Sequence, residues 1–145
     1  MDQVRPDAGN GLHLVREYWR GTEQVTAGTR LQVGDRLTVR LRVTADRDMD
    51  FVQLRDERAA CLEPADPLSG YWATSTTGYY RMVRDASTLF FMDKLRKGTH
   101  VLEYDVFLDR SGRYVAGAAV VQSAYAPEYT GHTAGGRLTV EERKE

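Results

Sequence analysis

The chain has 145 residues, 20 Lys and Arg against 21 Asp and Glu, and 41% apolar residues. That length suits one compact domain and excludes a large multi-domain enzyme. The balanced charge lacks the positive field that phosphate backbones and anionic membranes attract, so neither nucleic acid nor membrane is expected as a partner of this domain.

Residues 1–11 are expected to form a flexible N-terminal segment. Met1-Asp2-Gln3-Val4-Arg5-Pro6 has no apolar core of a signal peptide, and the polar run at 7–11 suits a domain cut from a longer polypeptide. A single domain is expected over 12–141. Leu12 to Trp19 is a first strand candidate, and Gly34-Asp35 marks a turn. From Arg36 to Thr44 apolar residues hold every odd position and polar ones every even position, the pattern of a strand with one buried face.

Asp46, Asp48 and Asp50, with Glu57 twelfth in the series, superficially match a calcium loop. Phe51 stands where that loop needs glycine, so a solvated turn between strands is expected instead. Met49 to Arg55 is the next strand, and Cys61, the one cysteine, leaves no disulfide framework and is expected as a small packed apolar residue. Segment 62–78 is rich in Pro, Gly, Ser and Thr and reads as a long irregular excursion.

Tyr71, Trp72, Tyr79 and Tyr80 cluster in and after that excursion. Exposed, they would form a stacking platform for sugar rings; buried, they would pin the loop to the sheet, as aromatic side chains more often do. Strands are expected over Tyr79 to Val83 and Leu89 to Asp93, then, after Lys97-Gly98, over Leu102 to Leu108, which alternates well enough to lie centrally. Asp109-Arg110-Ser111-Gly112-Arg113-Tyr114 with Ala116 has the form of an immunoglobulin-type tyrosine corner. Tyr114 to Gln122 is apolar on both faces and is expected as the most buried strand.

In Ala124-Tyr125-Ala126-Pro127-Glu128, Pro127 biases Ala126 towards extended backbone, which would hold Tyr125 rigidly at the end of the sheet. Arg137 to Val140 is the last strand, and 142–145 a charged tail. No window keeps a helical period with caps at both ends. The chain is therefore expected to be all-β, an antiparallel β-sandwich of about 7–9 strands, immunoglobulin-like in its corner.

Chemistry is sparse. His13, His100 and His132 have no partner at ligand spacing, so no metal is expected; no serine or cysteine sits in a nucleophile elbow, and Glu63 with Asp66 or Glu103 with Asp105 are pairs that 21 acids produce by chance. No catalytic residue and no cofactor are expected.

Read together, Leu31 to Val39, Arg55-Asp56-Glu57-Arg58, Glu63-Pro64, Tyr79-Tyr80, Phe90 to Tyr104, Tyr125-Ala126-Pro127-Glu128 and Arg137 to Val140 resemble, over roughly residues 31 to 140, the C-terminal macroglobulin-like domain of bacterial alpha-2-macroglobulin family proteins. The resemblance implies a non-catalytic, macroglobulin-like sandwich in a large periplasmic, envelope or secreted, often lipid-anchored, protease-trapping protein. Its partners would be other domains of the same polypeptide, with proteases as targets of the whole. It also implies that Tyr125 and Pro127 belong to a Met-Tyr-x-Pro motif whose tyrosine shields a thioester in a neighbouring domain; Ala124 replaces the methionine. Cys61, followed by Leu62-Glu63-Pro64, departs from the Cys-x-Glu-Gln thioester pattern.

Overall fold

The computed structural model describes residues 11–26 and 28–142; the N-terminal segment, apart from Gly11, and the tail beyond residue 142 lie outside the described residues. Fourteen strands follow in chain order: β1 (Leu12–Arg20), β2 (Glu23–Gln24), β3 (Leu31–Gln32), β4 (Arg36–Ala45), β5 (Met49–Glu57), β6 (Leu62–Pro64), β7 (Gly70–Ala73), β8 (Gly78–Val83), β9 (Ser87–Leu95), β10 (Gly98–Leu108), β11 (Gly112–Ala116), β12 (Ala119–Ser123), β13 (Thr130–His132) and β14 (Gly136–Glu141). Nine of them run for five residues or more and carry the fold; the others are short edge pieces. No helix among the described residues is long and apolar enough to cross a membrane.

Two sheets make the sandwich, a five-stranded one in the order β2-β1-β4-β10-β6 and a six-stranded one in the order β13-β12-β5-β9-β8-β7, with a three-stranded sheet, β11-β14-β3, beside them. Among the described strand pairs only β14–β3 is parallel. Alternation places the core as expected: Leu37, Val39, Leu41 and Val43 of β4 are fully buried, as are Leu102 and Val106 of β10, and they meet Val52, Leu54 and Phe90 of the opposite sheet. β10 has β4 along its length and β6 at its C-terminal end, which gives it the two neighbours expected of a central strand. The tyrosine corner is present, with the Tyr114 hydroxyl donating to the Ser111 carbonyl at 2.6 Å.

Two expectations need correction. The stretch 114–122 is two strands, and neither is the most buried. β11 joins the three-stranded sheet and β12 the six-stranded one; Val115 and Val120 face outward at 55% and 40% exposure. The break falls at Gly117, where a Cβ would stand 2.6 Å from the Glu57 Cβ, so only glycine lets the chain pass that close while changing sheets. Gly131 plays the same part where β13 crosses the start of β1, since its Cβ would lie 2.4 Å from the Leu12 carbonyl oxygen.

Segment 62–78 is likewise not wholly irregular. It contains β6, which pairs with the end of β10, and β7, which pairs with β8 from Gly70↔Arg81 to Ala73↔Gly78. The turn-forming residues bound these short strands, and the Tyr71–Trp72 pair supplies the strand-forming side chains between them.

Candidate functional site

The core holds a charged contact that ties the two sheets together. On β1 the inward positions run Leu12, Leu14, Arg16; on β5 they run Val52, Leu54, Asp56. Arg16 Nη1 donates to Asp56 Oδ1 at 2.6 Å, with side chains only 3% and 1% exposed. Arg16 Nη2 donates to the Gly117 carbonyl at 2.7 Å, and the Tyr104 hydroxyl of the five-stranded sheet donates to the other Asp56 oxygen. Burial disfavours the Arg16 charge, but Tyr18, Asp56 and Tyr104 outweigh that cost and hold its guanidinium above the ordinary value. Burial beside Asp56 pushes the Tyr104 hydroxyl well above the usual phenol range. The named groups of this buried network bond to one another and to the Gly117 carbonyl.

The Tyr125 segment stands at the end of the six-stranded sheet. β12 leaves the sheet at Ser123, and Ala126, Pro127, Glu128 and Tyr129 form a tight turn closed by the Tyr129 N–H on the Ala126 carbonyl at 2.9 Å, with proline in the position whose fixed φ such turns favour. Ser123 N–H donates to the Tyr129 carbonyl at 3.0 Å, and the Gln122 side-chain amide donates to the Pro127 carbonyl at 3.1 Å. Tyr129 anchors the far side: the Arg47 guanidinium lies 4.5 Å from its ring centre and donates to its hydroxyl at 2.7 Å. Between these fixed points Tyr125 projects at 77% exposure.

Phe51 completes that end of the sheet. Its carbonyl accepts the Ala124 N–H at 2.8 Å, and its ring packs edge-on against Tyr125 with centroids 5.0 Å apart. It is the one non-glycine residue with positive φ, 55°, among the described residues, a conformation that costs a bulky side chain of order 1 kcal/mol. The position that disqualified the calcium loop is thus a strained residue carrying one ring of an exposed aromatic pair. Two acids of that loop are otherwise engaged: Asp46 pairs with Arg47 at 2.8 Å, and Asp48 accepts the Lys97 N–H at 2.8 Å.

The four aromatics of the second cluster do not form one platform, because neighbours on a strand face opposite ways. Tyr79 is buried in the core against Phe90, centroids 5.5 Å apart, and Trp72 turns the same way, stacked on Arg81 at 4.3 Å. Tyr71 and Tyr80 face outward and touch edge-on at 4.9 Å, Tyr71 being 86% exposed. Pinning therefore describes Tyr79, and exposure describes Tyr71.

Several of the other candidates have structural partners. His100 is buried between the Thr76 hydroxyl and the Arg96 carbonyl, each at 2.8 Å. Glu103 pairs with Arg40 at 2.6 Å, Asp105 with Arg36 at 2.7 Å and Asp66 with Arg81 at 3.1 Å. Cys61 is fully buried, and burial pushes its thiol up to about 11. Among the described residues no group of His, Cys, Asp and Glu is arranged to hold a metal ion.

Residues 11–128 match the family described as the bacterial alpha-2-macroglobulin MG10 domain. No curated protein matches the chain. Among solved structures the chain is similar to Salmonella alpha-2-macroglobulin reacted with methylamine, at 22% identity and a TM-score of 0.78 over 94% of this chain and 10% of that one. It is also similar to Escherichia coli alpha-2-macroglobulin activated by porcine elastase, at 18% identity and a TM-score of 0.79 over 95% of this chain and 14% of that one. The third comparison is the native Escherichia coli protein from domain MG7 to the C-terminus, at 18% identity and a TM-score of 0.77 over 95% of this chain and 24% of that one. The fold is the macroglobulin-domain fold, and the chain spans only a small part of the length of these structures.

Proposed function

Since the chain belongs to the bacterial alpha-2-macroglobulin MG10 domain family, we propose that it is a non-catalytic packing domain, the last macroglobulin-like domain of a longer protease-trapping protein of the bacterial periplasm or envelope. In this reading its partners are other domains of the same polypeptide, and Tyr125 shields a thioester in the neighbouring domain from water. The observation that carries it is the presentation of Tyr125: a large amphipathic side chain 77% exposed on a turn whose backbone is held at both ends. Holding an exposed ring in one place removes much of the ordering cost of docking, which is the physical requirement for a contact that must shut out water.

Ala124 stands beside Tyr125 where the family motif has methionine, and Phe51 supplies the apolar flank at 5.0 Å. Pro127 and Glu128 shape the turn and make no direct contact with the shielded bond in this scheme. The test uses the full-length parent protein. Tyr125→Ala should speed the loss of amine-reactive thioester in the absence of protease; an unchanged rate refutes shielding while leaving the packing role to be read from domain association.

A further inference from the structure

The outer face of the six-stranded sheet carries a continuous row that runs across every strand. By register, Tyr71 of β7 stands opposite Tyr80 of β8, Tyr80 opposite Phe91 of β9, Phe91 opposite Gln53 of β5, Gln53 opposite Gln122 of β12, and Gln122 opposite Thr130 of β13. Six strands at the usual spacing make the row about 24 Å long. None of its six side chains is charged, and all are exposed or half-buried. Two depressions lie along it, one of about 630 Å³ bordered by Tyr71, Tyr80, Phe91, Asp93 and Lys94, the other of about 320 Å³ bordered by Gln53, Arg55, Gln122 and Val120.

We propose that this row is a binding site for a neutral, linear glycan lying across the strands. Rings at one end and primary amides at the other complement a chain of pyranoses, whose C–H faces stack on aromatic rings and whose hydroxyls bond amide groups. The six side chains of the row carry no charge, and the charges beside it are of both signs, Asp93 with Lys94 at one depression and Arg55 paired with Glu57 at the other, so no field of one sign selects an ionic ligand. A protein partner would call for a more apolar centre, and a membrane surface for basic residues beside aliphatic ones. The site differs from the four-aromatic cluster suggested by sequence, because Trp72 and Tyr79 face the core side while Phe91, Gln53 and Gln122 join Tyr71 and Tyr80. It does not depend on Tyr125 or on a thioester.

The test is a ¹⁵N NMR titration of the chain with cellohexaose, chitohexaose, xylohexaose, mannohexaose and maltohexaose at millimolar concentration. At least one should shift the resonances of Tyr71, Tyr80, Gln53 and Gln122. Tyr71→Ala should weaken that binding about tenfold and Gln53→Ala about threefold, Tyr71→Phe should retain it, and Tyr125→Ala should leave it unchanged. No shift with any of the five glycans, or shifts confined to another surface, overturns the proposal.

Discussion

The two outer faces of the sandwich are built on the same strand geometry from opposite chemistry. On the five-stranded sheet the register row Glu17–Arg40–Glu103 sets a guanidinium between two carboxylates, with Arg40 bonded to Glu103 at 2.6 Å and lying 4.8 Å from the Trp19 ring centre. Arg36–Asp105 and Arg42–Glu17 repeat the device in neighbouring rows. These charges are paired with one another across the strands. On the six-stranded sheet the comparable row is uncharged, and its members are held by ring contacts and bonds to backbone carbonyls rather than by ion pairs. Arg36, Arg40 and Arg42 are spent on this device on the first face, whereas the uncharged row of the second is the one proposed for recognition.

The contrast presupposes a single shared core, and the strongest challenge to it is the buried pair that joins the sheets. Arg16→Ala leaves the Asp56 carboxylate buried without its cation and should destabilise the domain by about 3–5 kcal/mol in a urea melt. A loss below about 1 kcal/mol would mean that the sheets are held independently. The pH dependence probes the same core. Cys61 titrates at about 11 when folded against 9.0 for an ordinary thiol, so its contribution is intact below pH 9 and is lost as pH rises towards 11. Tyr104, raised in the same direction, extends the loss to higher pH. Unfolding free energy should therefore fall with pH above 9, and Cys61→Ala should flatten the first part of that fall.

On the neutral face, Phe51→Gly relieves the positive φ that Phe51→Ala retains, so the glycine variant should be the more stable by about 1 kcal/mol although both lose the ring. Equal stabilities would show that the backbone relaxes freely at that point. The smallest effect belongs to the charged face. Arg40→Ala should cost about 0.2–1 kcal/mol, less at high salt, because its pair with Glu103 is partly solvated. A cost that salt leaves unchanged would assign Arg40 a packing role on Trp19 instead.

Much of the fold was legible in the chain. The alternation in β4 and β10 gave buried faces, Gly34, Gly98 and Gly112 marked turns, and the Tyr114 corner appeared as its spacing suggested. What failed failed for physical reasons. Apolar residues on both faces of 114–122 suggested burial, but a two-residue link at 117–118 sends its halves to different sheets, and pairing between distant strands decides what covers Val115 and Val120. Gly117, with no side chain to meet Glu57, is where the chain breaks and changes sheets.

The site was legible in part. Pro127 stands in the Ala126–Tyr129 turn next to an exposed Tyr125, and a turn is local chemistry that the chain can announce. Phe51 was noticed only as a disqualified calcium position, since no local pattern announces a strained residue beside a ring 74 positions later. Arg16 and Asp56 carried a readable signal that was passed over: each continues the inward parity of two leucine or valine neighbours. The outer row was invisible, because it exists only in the register of six strands.

The two-residue link at Gly117 acts as a fulcrum between the sheets. β12 extends from it for five residues, roughly 16 Å, to the turn that carries Tyr125. Gly117 is clamped by Glu57 on one side and by Arg16 on its carbonyl. The strand that ends beside Tyr125 therefore begins at the junction of all three sheets, where the Gly117 carbonyl accepts from the buried Arg16 guanidinium.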